Sequence, residues 1–221
     1  MVCETLNAHS GLVYLLLGTG HCEGFIRPVA NASAAPFNLE PRKESMLPQL
    51  NYGTTAKVLH WTIVALLLIQ YPVGWLMPDI HRGMQPGVGM TLHVSIGLVL
   101  LILIVLRLAW RLTHPVAPES SLPGWQKVTS EVLHWMLYLM VLLTTVTGWL
   151  FASFRGWSIS FFYLFPFPML FSNNPAAGKA IDGLHQATEW FLLILVGAHV
   201  AAALVHLMYY RDRVMARMLS R

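Results

Sequence analysis

Four apolar stretches, each about 20 residues and so able to cross a hydrocarbon core of about 30 Å, constrain this chain most. They run from Ala56 to Met77, Thr91 to Trp110, Val132 to Phe154 and Ala187 to Tyr209. Only 11% of residues are charged and 56% are hydrophobic, outside the usual balance of a soluble domain. In lipid, every backbone N–H and C=O needs a partner within its own segment, so each stretch is expected to be a helix. The fold class is all-α, an integral membrane four-helix bundle. Pro72 is expected to kink the first helix without dividing it.

Lysine and arginine placement sets the expected orientation. With both core ends on one side, that side holds Arg42, Lys43, Lys57, Arg107, Arg111, Lys127, Arg211, Arg213, Arg217 and Arg221. The opposite side keeps Arg82, Arg155 and Lys179. Ten against three places the N- and C-termini in the cytoplasm. The net charge of +4 then reflects topology and contact with anionic lipid. Nucleic-acid binding is excluded as a reading, because no soluble basic domain exists to perform it.

Residues 1–45 differ from the rest and are expected to be an N-terminal extension, either a disordered tail or a mis-assigned start with Met46 as the true one. Gly11 to Leu17 is apolar but short, and no basic residue precedes it, which argues against a signal peptide. Residues 31–41 are rich in Ala, Pro and Asn and read as a linker. Both cysteines, Cys3 and Cys22, lie in this extension, and no C-x-x-C-H motif occurs, so covalent c-type haem is unsupported. Residues 46–221 form the membrane domain. Between the third and fourth spans, Gly156 to Phe171 is densely aromatic but broken by Pro166 and Pro168. It suits the membrane–water interface, as an anchor in preference to a lid.

Ionisable side chains within spans are functional hypotheses by default, and histidines stand at matched depths. His185 and His199 are fourteen residues apart on the fourth span, about 21 Å of helical rise on nearly one face. His60 begins the first span and His93 the second. Chain direction then pairs His93 with His185 toward the outer face, and His60 with His199 toward the cytoplasm. A single such residue would read as an interhelical hydrogen bond. Four of them, matched in depth on three helices, favour cofactor ligation. Structural zinc needs four ligands at one point, which the fourteen-residue gap forbids. Two haems, each needing two axial nitrogens and apolar walls, fit better.

Further residues bear on these centres. Arg107 follows His93 by fourteen residues and reaches the cytoplasmic level, where a guanidinium suits a haem propionate. A snorkelling lipid contact is the competing reading, and for Arg111 the favoured one. Val58-Leu59-His60-Trp61 recurs as Val132-Leu133-His134-Trp135, and each histidine is followed fourteen residues later by a glycine, Gly74 or Gly148. The first and third spans thus form a weak internal repeat. From residues alone, His134 could replace His60 as ligand, or contact a propionate or a quinone. His206, seven residues beyond His199, is a candidate for similar contacts, although an ordinary interfacial histidine is the simpler reading. Gly97 near His93, and Gly197, Ala198, Ala201, Ala202 and Ala203 near His199, are expected to make room for a macrocycle. Ser95 and Thr91 are candidate hydrogen-bond partners for the imidazoles. His81 and His114 read as solvated.

From Leu47 onward, about four fifths of the chain, the sequence resembles the bacterial cytochrome b561 family of small four-helix dihaem inner-membrane proteins. The fragments carrying this are Val58-Leu59-His60-Trp61, Leu92-His93-Val94-Ser95-Ile96-Gly97, Arg107-Leu108-Ala109-Trp110-Arg111 and His134-Trp135-Met136-Leu137-Tyr138. Gly183-Leu184-His185, the His199 to His206 stretch, Arg211-Asp212-Arg213 and Arg217-Met218-Leu219 complete the series. The resemblance implies two non-covalent haem b groups with His60, His93, His185 and His199 as axial ligands, His60 being chosen over His134. It implies electron exchange with ubiquinone or another quinone in the bacterial inner membrane. Some members resemble superoxide oxidases. The expected function is transmembrane transfer of single electrons between a donor, superoxide among the candidates, and the quinone pool. The alternatives are a haem-bearing anchor subunit relaying electrons for a partner dehydrogenase, and a non-haem histidine-based transporter. A homodimer through small-residue faces is allowed.

Overall fold

The computed structural model describes residues 52–78, 85–117, 119, 122–166 and 168–219. The expectations for the extension and Met46, for Cys3 and Cys22, and for His81 lie outside these residues. Four long helices follow one another: α1 (Thr54–Leu76), α2 (Val88–Thr113), α3 (Gly124–Arg155) and α4 (Pro175–Val205). All four are long and apolar enough to cross a membrane. Between α3 and α4 lies a two-stranded antiparallel ribbon, β1 (Ser160–Phe161) with β2 (Phe165–Pro166). A π-helical turn (His206–Tyr210) extends α4, and a short α5 (Ala216–Leu219) ends the described chain.

The helices overrun most of the expected spans. Helix α3 begins eight residues before Val132, and α4 twelve before Ala187, because backbone outside the bilayer can continue helical without an apolar run. Helix α1 continues past Pro72. Gly156 ends α3 at φ 64°, and its N–H reaches the Ala152 and Ser153 carbonyls. That left-handed cap is a conformation glycine adopts without steric cost. At the start of α4, Asn174 Oδ1 accepts from the Ala177 N–H and Pro175 supplies the preset first turn.

The bundle centre is filled by Ile63, Ile96, Leu100, Ile104, Tyr138, Met140, Val141 and Leu192. A second cluster, Met90, Ala152, Trp157 and Ile159, closes the end bearing the ribbon. Large apolar side chains such as Leu68, Leu76, Ile102 and Ile194 face outward, the arrangement a lipid surroundings favours. Helix α3 packs most closely on α4, α1 on α2, and α2 on α3. Helices α1 and α4 meet through side chains. The Tyr71 hydroxyl donates to the Glu189 carbonyl at 3.0 Å, and Trp75 Nε1 to the Glu189 carboxylate at 2.9 Å.

The aromatic segment after α3 is tied down at several points. Phe162 N–H donates to Ser95 Oγ at 2.9 Å, Leu170 N–H to Ser153 Oγ at 3.2 Å, and Trp149 Nε1 to the Pro168 carbonyl at 2.9 Å. Trp157 and Ile159 are buried, while Tyr163, Leu164 and Phe165 point outward. Buried feet with exposed aromatic tips make an interfacial anchor.

Candidate functional site

The ribbon-side level is built by one imidazole from α2 and one from α4. The His93 and His185 ring centroids are 6.3 Å apart, with planes at 87°. Each ring occupies space left by a glycine on the neighbouring helix. A Cβ on Gly74 would fall 3.0 Å from His93 Cε1, and one on Gly148 would press on His185 in the same way. Gln70 Nε2 donates to the His93 carbonyl at 2.9 Å. His185 Nδ1 lies 2.9 Å from the Thr144 carbonyl and 3.2 Å from Thr147 Oγ1. Around these groups opens a cavity of about 610 Å³ lined by Gly74, His93, Gly97, Gly148, Trp149 and His185 among others. That is within the ~300–1,000 Å³ of small-molecule and cofactor sites.

At the opposite, tail-side level, α1 and α4 contribute His60 and His199, whose centroids are also 6.3 Å apart, with planes at 76°. His134 of α3 is nearer, 5.3 Å from His199. Arg107 Nε donates to the Tyr138 hydroxyl at 3.0 Å, and its Nη1 is buried without a partner among the described residues. Arg111 stacks over Trp135 and Tyr138 at 5.1 and 5.5 Å. It is therefore committed to α3 rings, beyond the headgroup contact expected of it. His206 Nδ1 pairs with Asp212 Oδ2 at 2.5 Å where the chain leaves α4 through its π turn. His114 is exposed, as expected, and stacks on Trp110 at 3.8 Å.

Both levels can be tested for fit to a haem. A ligating imidazole nitrogen sits about 2.0–2.1 Å from its metal and about 1.1 Å from its own ring centroid, so opposed rings on one iron have centroids about 6 Å apart. Two pairs, His93–His185 and His60–His199, match that spacing, whereas His134–His199 is too close. Buried atoms without a hydrogen-bond partner among the described residues, Gln70 Oε1, His93 Nδ1 and Thr144 Oγ1, belong to residues that line the cavity. The residues present fit the group. Among the described residues, no group of three or more His, Cys, Asp or Glu is placed to hold a bare metal ion.

Several expectations need correction. Ser95 Oγ donates to the Thr91 carbonyl at 2.7 Å and accepts from the Phe162 N–H, so Ser95 does not orient an imidazole. A hydroxyl in a helix has its own carbonyl one turn back as the nearest acceptor. A Cβ on Gly197 would meet nothing within 4 Å, and Ala198, Ala201 and Ala202 are exposed. Ala203, one turn beyond His199 on the same face, is half-buried. Gly97, by contrast, lines the cavity. Thr144, Thr147 and Gln70 were not legible beforehand, although Gln70 and Thr144 occupy equivalent steps of the α1/α3 repeat, four residues before Gly74 and Gly148.

An apolar bundle with paired imidazoles at two levels defines a class, the membrane cytochromes b. A family profile described as "Prokaryotic cytochrome b561" matches residues 51–221, and the chain belongs to that family. It is a bacterial multi-pass membrane protein that binds haem b and transfers electrons. Similar proteins include "Cytochrome b561 homolog 2" of Escherichia coli (strain K12), 26% identical over 174 residues, 77% of this chain and 92% of the relative. "Probable superoxide oxidase CybB" of Yersinia pestis is 26% identical over 164 residues, 74% of this chain and 92% of that protein. "Cytochrome b562" of Cereibacter sphaeroides is 28% identical over 180 residues, covering 79% and 98% respectively.

Proposed function

We propose that the protein holds two haem b groups at different depths and passes single electrons through the membrane to a quinone. The observation carrying this reading is the pair of equal 6.3 Å imidazole spacings, one at each level. His93 and His185 would be the axial ligands near the ribbon, and His60 with His199 those near the tail. Bound haem supplies one-electron chemistry; the protein supplies placement, electrostatics and exclusion of water. Arg107, with Nη1 unpartnered among the described residues, would receive a tail-side propionate. His134 and the His206–Asp212 pair border that level and are the candidates to contact the quinone.

Ten cationic residues against three favour a cytoplasmic tail, N-terminus and C-terminus, with the ribbon facing outward. Residues 46–221 would form the cytochrome domain, preceded by an extension over 1–45. With superoxide as donor, the chemistry named for the Yersinia relative, each superoxide gives one electron and leaves as dioxygen. Two such electrons and two protons convert one quinone to the quinol. Surrounding lipid, a quinone and a redox partner protein are the partners in view, and a second copy of the chain is a further candidate.

The test is haem-to-protein stoichiometry with a reduced-minus-oxidised spectrum of purified protein. Two b-type haems are expected, with one lost from His93→Ala and one from His60→Ala. A ratio of one or zero would overturn the dihaem reading. Quinone reduction driven by a superoxide source then separates an oxidase from an anchor subunit, which would show no activity alone.

A further inference from the structure

The two ribbon-side imidazoles are not held alike. A carbonyl oxygen can only accept, so the 2.9 Å approach of His185 Nδ1 to the Thr144 carbonyl requires a proton on that nitrogen. Thr147 Oγ1, 3.2 Å away, donates its own proton to the Leu143 carbonyl at 2.7 Å. Its oxygen is thereby turned toward His185 as a second acceptor. His185 is locked as the Nδ1–H tautomer, leaving the Nε2 electron pair for a metal. His93 Nδ1, in contrast, is buried and makes no hydrogen bond of that closeness among the described residues, the Gln70 backbone carbonyl being the acceptor turned toward its ring.

The difference traces to the internal repeat. Gln70 and Thr144 stand at equivalent steps of α1 and α3. Both residues turn a backbone carbonyl toward the histidine of the following helix, and Gln70 also donates its side-chain N–H to the His93 backbone carbonyl, but only the Thr144 carbonyl closes to 2.9 Å on a ring nitrogen. Thr147 completes the difference, because its repeat counterpart is Val73, which carries no acceptor.

We infer that Thr147, with the Thr144 carbonyl, is a positioning residue that makes His185 the more electron-rich of the two ribbon-side imidazoles and so holds the reduction potential of that centre down. This rests on the ligand assignment proposed above. An N–H donated to an acceptor gives the ring partial imidazolate character and raises its basicity as a ligand. A more basic axial ligand favours the oxidised iron, one of the protein's levers on haem potential. Loss of the acceptor therefore raises the potential.

The experiment is a redox titration of the purified, haem-loaded full chain and three variants. Thr147→Val keeps the shape and removes the hydroxyl. One b-type component is expected to titrate higher, with its reduced-to-oxidised ratio at fixed potential up about threefold, or ~30 mV at 59 mV per decade for one electron. Thr147→Ser keeps the hydroxyl and is expected to retain the wild-type potentials. His185→Ala identifies the component, because it alone should abolish the one that Thr147→Val shifts. If His185→Ala keeps both haems, the ligand assignment fails. If it loses one but Thr147→Val leaves both potentials in place, the positioning role fails. Low-spin ferric EPR on wild type gives an independent reading should Thr147→Val not load: two inequivalent bis-imidazole signals are expected. Superimposable signals, unchanged in Thr147→Ser, would overturn the inference.

Discussion

Gly148 lies against the edge of the His185 ring, so that a Cβ built on it would fall 2.9 Å from Cε1 and 3.3 Å from Nδ1. Gly74 stands in the same relation to His93, with 3.0 and 3.3 Å to the corresponding atoms. The repeat between the first and third spans is thus a repeat of a packing device. The first and third helices each carry a glycine that admits an imidazole from the helix following it.

Gly148→Ala isolates this device. Alanine is the better helix former by roughly 1 kcal/mol, so a purely local effect would stabilise α3. Contact below 3.0 Å forces the His185 ring to shift instead. Haem content is expected to fall from two per chain toward one, the loss falling on the component that His185→Ala abolishes. Gly197→Ala is the control, since open space surrounds that position, and it should keep full haem content in a pyridine haemochrome assay.

Tyr138→Phe tests the tail-side cation. The ring is kept, and with it the stacking under Arg107 and Arg111 at 5.8 and 5.5 Å. Only the acceptor for Arg107 Nε is lost. An unsatisfied buried donor costs about 1–3 kcal/mol, more when charged, and Arg107 Nη1 already lacks a partner among the described residues. The temperature of haem release is expected to drop by several degrees in a thermal ramp followed at the Soret band. An unchanged release temperature would show that Arg107 finds another acceptor at no cost.

Depth was readable from the sequence and azimuth was not. A helix rises a fixed distance per residue and a bilayer has a set thickness, so fourteen-residue spacings translated directly into two levels. Which face of an apolar helix turns inward depends on packing, and a helix apolar all round carries little signal for it. His60 and His134 share a depth and a motif, and only the packed bundle separates their distances from His199. The Thr144 acceptor is a backbone carbonyl, which every residue type possesses, so no residue signal could announce it.

Arg217→Ala probes how the end of the chain is fastened. Arg217 is 8% exposed, and its guanidinium donates to the Ala117 carbonyl at 2.6 Å and lies 5.6 Å from the Tyr52 ring centroid. The approach to Glu119 is a long 3.9 Å and adds little. Nearby, Trp61 Nε1 reaches the Met218 carbonyl at 3.4 Å. Removing the guanidinium should release α5, seen as cleavage after Arg211 or Arg213 at trypsin concentrations that leave wild type whole. Haem content should stay at the wild-type value, because no imidazole of either pair depends on Arg217. Equal trypsin resistance would mean that apolar contacts alone hold α5.

His60→Ala and His134→Ala provide the sharpest separation between the two repeat copies. Both rings lie beside His199, T-shaped at 6.3 and 5.3 Å. Only the longer spacing leaves room for an iron between opposed nitrogens, about 2 Å from each. His60→Ala is therefore expected to lose the tail-side haem, and His134→Ala to keep both haems in the reduced-minus-oxidised spectrum. Removing the second ring changes the polarity around that centre, so its midpoint should move while its low-spin character persists. Loss of a haem from His134→Ala, with both retained in His60→Ala, would make α3 the ligand-bearing helix and reverse the assignment of the two repeat copies.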